Sequence, residues 1–150
     1  MKLSKDELKE LILTLMVGSS VRSAVAELDG EDWKKIEDQY LPFLKLARNL
    51  GYSNLIEIFN GSLIPSNRLC KKEEEIISKY TDDEFWNDLE VRLGQRDFTE
   101  SLTKEEIENI KKNFWLPDRV HKYYRKYEKE FGKYGIQRLR IMKTGLDKTR

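Results

Sequence analysis

A chain of 150 residues with 39% hydrophobic and 37% charged residues is long enough to bury a core in one domain without cross-links. Six Phe, seven Tyr and three Trp exclude a disordered polyelectrolyte, and eight Gly with three Pro are too few for a turn-rich β-sandwich. A net charge of +1 and a single cysteine exclude an overall polyanion or polycation, an intramolecular disulfide and a cysteine-built zinc site.

Ser4 and Glu7 form a capping box at the head of the first helix. Leu8, Leu11, Ile12, Leu15 and Met16 follow at i, i+3, i+4, i+7 and i+8, the spacing of an amphipathic helix facing a core. That helix is expected to run to about Val17 and to loosen at Gly18-Ser19-Ser20. The run from Leu11 to Val17, with Ala24-Val25-Ala26 behind it, mimics a secretory leader, but Asp6, Glu7 and Glu10 oppose that reading because leaders begin with basic residues. No unbroken apolar run approaches the ~18 residues of a membrane span. A soluble chain without a membrane span is the expectation, and the lone Cys70 fits a reducing, cytoplasmic location.

Val21 to Leu28 reads as helix ending at Asp29-Gly30, and Trp33, Ile36 and Tyr40 mark the next helix. Pro42 lacks an amide donor, so it is placed in the first turn of a new helix carrying Phe43, Leu44, Leu46, Ala47 and Leu50, stopped by Gly51. Ser53 is read as the cap of a short helix through Leu55, Ile56 and Phe59 that ends at Asn60-Gly61. Pro65-Ser66 opens a helix through Leu69, Ile76, Ile77 and Tyr80. Thr81–Glu84 and Thr103–Glu106 are further capping boxes, the first before Phe85, Trp86, Leu89 and Leu93, the second before Ile107, Ile110 and Phe114. Pro117-Asp118 starts the last long helix, with Val120, Tyr123, Tyr124, Tyr127, Phe131 and Tyr134 on one stripe and Gly135 at its end. Ile136 to Met142 is compatible with helix or a short extended segment, and the polar tail from Thr144 is expected to fray. The fold class is therefore all-α, a compact bundle of about six to eight helices in one domain over residues 1–143, with a tail over 144–150.

The segment Leu46-Ala47-Arg48-Asn49-Leu50-Gly51-Tyr52-Ser53 resembles the first helix and turn of a repressor-type helix-turn-helix, with Ala47 four residues before the turn glycine. Asn60-Gly61 and Pro65-Ser66 then match the end of a recognition helix and the link beyond it. The interval from Gly51 to Gly61 is about two residues short of the motif, and the second helix would carry Asn54, Glu57 and Asn60 but no Arg or Lys to read guanine. An ordinary αα-corner accounts for the same residues.

Charge is unevenly placed. Residues 73–110 hold four Lys/Arg and thirteen Asp/Glu, a net of −9, whereas residues 111–150 hold thirteen and four, a net of +9. Lys122, Arg125, Lys126, Lys129 and Lys133 line one side of the last helix, with Arg138, Arg140 and Lys143 beyond. Such a row suits phosphates, with interleaved Tyr stacking on unpaired bases. It is equally a solvated face over an aromatic core stripe, or a face neutralised by the acidic helix at 82–97.

Catalytic signals are sparse. Asp118 and His121, the only histidine, are spaced to place two metal ligands on one helix face, and two ligands do not make a site. Cys70 lies among Arg68, Lys71 and Lys72, whose charges would favour a thiolate, but its helical spacing with Leu69, Ile76 and Ile77 fits a small buried apolar residue. Glu73–Glu75 and Asp82–Glu84 read as solvated and capping carboxylates, and no glycine-rich phosphate loop is present. The expectation is a non-enzymatic protein-interaction module without a cofactor, docking a protein partner or a second copy through its acidic 73–110 and basic 111–150 regions. The alternatives are nucleic-acid binding through the basic, Tyr-rich last helix and, behind it, a small metal-dependent enzyme using Asp118 and His121.

Overall fold

The computed structural model describes residues 3–140 apart from Asp38 and Trp115. Lys143 and the tail 144–150, expected to fray, lie outside the described residues. The described residues are mostly helical, 75%, which bears out the helical class. Among the described residues there are five helices of nine residues or more, one four-residue turn of helix and a two-stranded hairpin, so a bundle of six to eight helices fits imperfectly. Tertiary contacts group the chain into an N-terminal unit, Met1–Thr81, and a C-terminal unit, Asp82–Arg150.

The N-terminal unit begins with α1 (Lys5–Leu28), headed by the expected box: Ser4 Oγ accepts from the Glu7 amide and the Glu7 carboxylate accepts from the Ser4 amide at 2.7 Å. The helix does not loosen at Gly18. A mid-helix glycine costs only about 1 kcal/mol relative to Ala, and Ile12, Leu13 and Met16 before it and Ser19 and Ala26 after it are buried, so packing holds the helix through. By length and composition alone α1 is apolar enough to cross a membrane, a match the unbroken-run criterion passed over because Arg22 and the serines interrupt the run. Its N-terminal half accounts for much of that apolarity as core: Leu8 and Ile12 are completely enclosed.

The helix expected around Trp33, Ile36 and Tyr40 is reduced to α2 (Lys34–Glu37). Next, α3 (Leu41–Asn49) carries Pro42 in its first turn and buries Leu44 and Ala47, and Gly51, at φ +76°, turns the chain away. The expected helix from Ser53 to Phe59 is absent. A single 3₁₀ turn, Ser53–Leu55, leads into β1 (Ile56–Phe59), which pairs antiparallel with β2 (Ser62–Pro65) in the register Ile56–Pro65, Glu57–Ile64, Ile58–Leu63, Phe59–Ser62. Asn60 (φ +50°) and Gly61 (φ +80°) make the two-residue loop, both left-handed as the twist-matched hairpin turn demands. With strands where a recognition helix would stand, both the helix-turn-helix resemblance and the αα-corner fall.

α4 (Asn67–Glu100) is one continuous helix of 34 residues, its first part in the N-terminal unit and its second in the C-terminal unit. The capping box read at Thr81–Glu84 does not form. Thr81 Oγ1 donates back to the carbonyls of Ile77 (2.9 Å) and Ser78 (3.1 Å), because no Gly or Pro breaks the helix before it and a cap needs a non-helical residue there. The core of the N-terminal unit is Leu8, Ile12, Leu13, Met16, Leu44, Ala47, Leu55 and Leu69.

In the C-terminal unit, α5 (Lys104–Asn113) opens with the expected box, Thr103 N–H donating to Glu106 at 2.9 Å, and ends at Phe114 in the left-handed region. α6 (Val120–Tyr134) is capped by Gly135 at φ +52°, and a short 3₁₀ turn, Gly135–Arg138, follows. Pro117 and Asp118 form the turn leading into α6, where the Pro117 carbonyl accepts from the Val120 amide at 3.0 Å and the Asp118 carbonyl from the His121 amide at 3.2 Å.

Candidate cationic groove on α6

The apolar stripe of α6 faces the second part of α4. Val120 and Phe131 are buried and Tyr123, Tyr124 and Tyr127 half-buried. The Phe98 ring meets Tyr123 edge-on at 5.8 Å between centroids, and Trp86 packs on Phe131 at 5.5 Å. Those tyrosines give part of their surface to packing against α4. Gly94 makes the approach possible: a Cβ there would stand 2.5 Å from the Tyr124 ring and 3.1 Å from its backbone nitrogen.

Acidic and basic segments do meet across this contact, at one carboxylate. Asp97 accepts from Lys126 Nζ at 2.7 Å, from the Tyr127 hydroxyl at 2.6 Å, and from Arg96 at 2.7 and 3.0 Å. The bond from Lys126, then those from Tyr127 and Arg96, hold the Asp97 carboxyl far below its ordinary range, and the bond to Asp97 raises the Lys126 ammonium in turn. Burial, then the bond to Asp97, pushes the Tyr127 phenol up. Nothing in the local sequence singled out Asp97; it matters because α6 lays a cation and a hydroxyl on it. Beside this contact Arg119 donates through one nitrogen to both Glu106 oxygens at 2.8 Å and lies over the Phe98 ring at 5.3 Å, tying the head of α6 to α5.

Because pairing holds the Asp97 carboxyl below its ordinary value of 3.8, its stabilising effect is complete above that value and lost as acid protonates it. Asp97→Asn is expected to destabilise the C-terminal unit by about 1–2 kcal/mol at neutral pH, since the bonds are charge-assisted but partly open to water. Acid titration followed by hydrogen exchange of α6 amides should show protection falling below about pH 4 in the natural chain. The asparagine variant should lack that step.

The cations of α6 are thus not equivalent. Lys126 is neutralised by Asp97. Arg138 pairs with Glu130 at 3.0 Å and covers the Tyr134 ring at 4.2 Å, with Lys133 Nζ 4.9 Å from the same ring. Arg140 donates to the carbonyls of Gln137 and Leu139. Lys122, Arg125 and Lys129 have no ion-pair partner among the described residues and are exposed. With Lys126, Asp118 and His121 they line a shallow open groove of about 420 Å³ along the first three turns of α6. No family model, curated protein or solved structure matches this chain.

The groove decides how the remaining candidates read. Asp118 and His121 do share it, but among the described residues no group of three His, Cys, Asp or Glu is available to hold a metal, and Lys122, Arg125 and Lys129 beside the pair repel one. Cys70 is half-buried against the N-terminal core. Burial first, then Glu73, Glu57 and Glu74, raises its thiol above the usual cysteine value, which agrees with the packed residue its helical spacing suggested and not with a thiolate favoured by Arg68, Lys71 and Lys72. The sulfur's one polar contact is with the Pro65 carbonyl, at 3.9 Å.

Proposed function

We propose that this protein is a non-enzymatic interaction module that docks an acidic protein segment in the α6 groove. The observation that carries the reading is the triplet Lys122, Arg125 and Lys129, exposed on one face without ion-pair partners among the described residues, while Lys126 and Arg138 are paired with carboxylates. Seven residues of helix place the triplet over about 10 Å, the reach of a short acidic stretch. The reading takes the chain as soluble, with α1 a core helix.

The test is fluorescence anisotropy of a labelled oligoglutamate peptide and of duplex DNA against the purified chain at two salt concentrations. The peptide should bind at low salt, and the triple variant Lys122→Glu, Arg125→Glu, Lys129→Glu should weaken it by at least tenfold, about 1.4 kcal/mol. Three contacts predict roughly a fortyfold loss for DNA between 50 and 200 mM salt. A thousandfold loss would require six or more contacts and would replace this reading with nucleic-acid binding. No peptide binding at low salt would remove it. Retention of the expressed chain in membranes washed with alkaline carbonate would overturn the soluble assignment.

A further inference from the structure

We propose that two copies of this chain associate edge to edge through β1, antiparallel about Ile58, into one four-stranded sheet. In an antiparallel pair, residues that exchange both main-chain bonds alternate with residues whose amide and carbonyl point outward. The two-residue loop Asn60-Gly61 is closed by the pair Phe59–Ser62, which is therefore a bonded one. The same phase holds at the far end of the hairpin, where the Ser66 amide donates to the Leu55 carbonyl at 3.0 Å. Ile56 and Ile58 thus point their main-chain groups outward from β1, and Leu63 and Pro65 do so from β2. The Ile56 amide is taken by the Ser53 carbonyl. Ile58 is left offering both a donor and an acceptor at the edge.

The two edges differ. Pro65 has no amide to give and is buried, and Leu63 is half-buried against the N-terminal core. β1 has no Lys or Pro to guard it, and its one charged residue, Glu57, accepts from the Asn67 amide at the head of α4 at 2.8 Å. Ile58 is 66% exposed and Phe59 63%, and successive strand residues lie on opposite faces, so pairing here shelters apolar surface on both. β1 also fits itself. With Ile58 of the two copies opposite one another, they exchange both main-chain bonds, and Glu57 of each copy falls opposite Phe59 of the other. No like charges then face each other, which makes a second copy the natural occupant.

The contact is small, under about 1,200 Å² in total, so the dimer should form only as the chain is concentrated. Sedimentation velocity and NMR of the full chain over a concentration series should show a monomer–dimer equilibrium in which exchange of the Ile58 amide slows as dimer accumulates. Ile58→Pro removes the outward donor but no bond within the hairpin, and should abolish the dimer. Phe59→Lys should dimerise at least about threefold more tightly than Phe59→Glu, because residue 59 faces Glu57 twice across the dimer axis. Both are exposed changes that leave the core intact. A chain that stays monomeric at every concentration overturns the proposal. So does a dimer that survives Ile58→Pro, or one that the two Phe59 variants weaken alike. A dimer lost only on reversing Lys122, Arg125 and Lys129 belongs to the α6 groove and overturns it as well.

Discussion

Replacing Phe98 with Ala costs the C-terminal unit about 3–5 kcal/mol, the usual range for emptying a buried aromatic site. Phe98 is 1% exposed, the most enclosed large side chain of that unit. Its ring receives Tyr123 edge-on and Arg119 face-on. Truncation therefore opens a cavity and also withdraws the surface that holds Arg119 against Glu106. Few other buried side chains stand behind it, chiefly Val120 and Phe131, so the loss cannot be spread over a large core. The readout is hydrogen exchange: amides of α5 and α6 should lose protection while those of α1 keep theirs. Unchanged protection in α6 would show that the aromatic contact between α4 and α6 is not what stabilises the unit.

Gly94→Val is the second large effect, expected at about 1–3 kcal/mol of destabilisation from overpacking. A Cβ at this position falls 2.5 Å from the Tyr124 ring, and the Tyr124 nitrogen and Tyr123 carbonyl carbon stand only 3.1 and 3.2 Å away, so moving the ring alone does not make room. Gly94→Ala is a sharper comparison, because alanine gains up to about 1 kcal/mol of helix propensity that offsets part of the clash. A double-mutant cycle with Tyr124→Ala should recover part, but not all, of the Gly94→Val loss, since the backbone contact remains. Denaturant melts of the four proteins measure the coupling. Strict additivity would mean that α4 and α6 do not approach closely at Gly94.

Gly94 also shows where the sequence was legible and where it was not. A lone glycine in a helical pattern is tolerated with or without a close neighbour: Gly18 and Gly132 have open space where Gly94 has the Tyr124 ring, and no local rule tells them apart. Asn60-Gly61 is the opposite case. The hairpin signal was present, flanked by the β-branched Ile56, Ile58 and Ile64, and it was outweighed by a helical spacing that short apolar segments satisfy by chance. The groove was half legible. Its residues follow from the helical stripe 118, 121, 122, 125, 129, whereas the pairing of Lys126 and Arg138 depended on Asp97 and Glu130.

By itself the sequence determined what depends on a few neighbouring residues. The helical class, the boxes at Ser4 and Thr103, Pro42 in the first turn of α3 and the stops at Gly51 and Gly135 all follow from local hydrogen-bond supply and backbone sterics. Only the tertiary structure decided whether a local signal would be used. Gly18 and Thr81 carry break and cap signals worth about 1 kcal/mol each. Buried packing carries α1 past Gly18, and unbroken helix on both sides carries α4 past Thr81. The same holds for charge: pairing energies depend on distances across the fold, and those pair Lys126 with Asp97 and leave Lys122, Arg125 and Lys129 without ion-pair partners among the described residues.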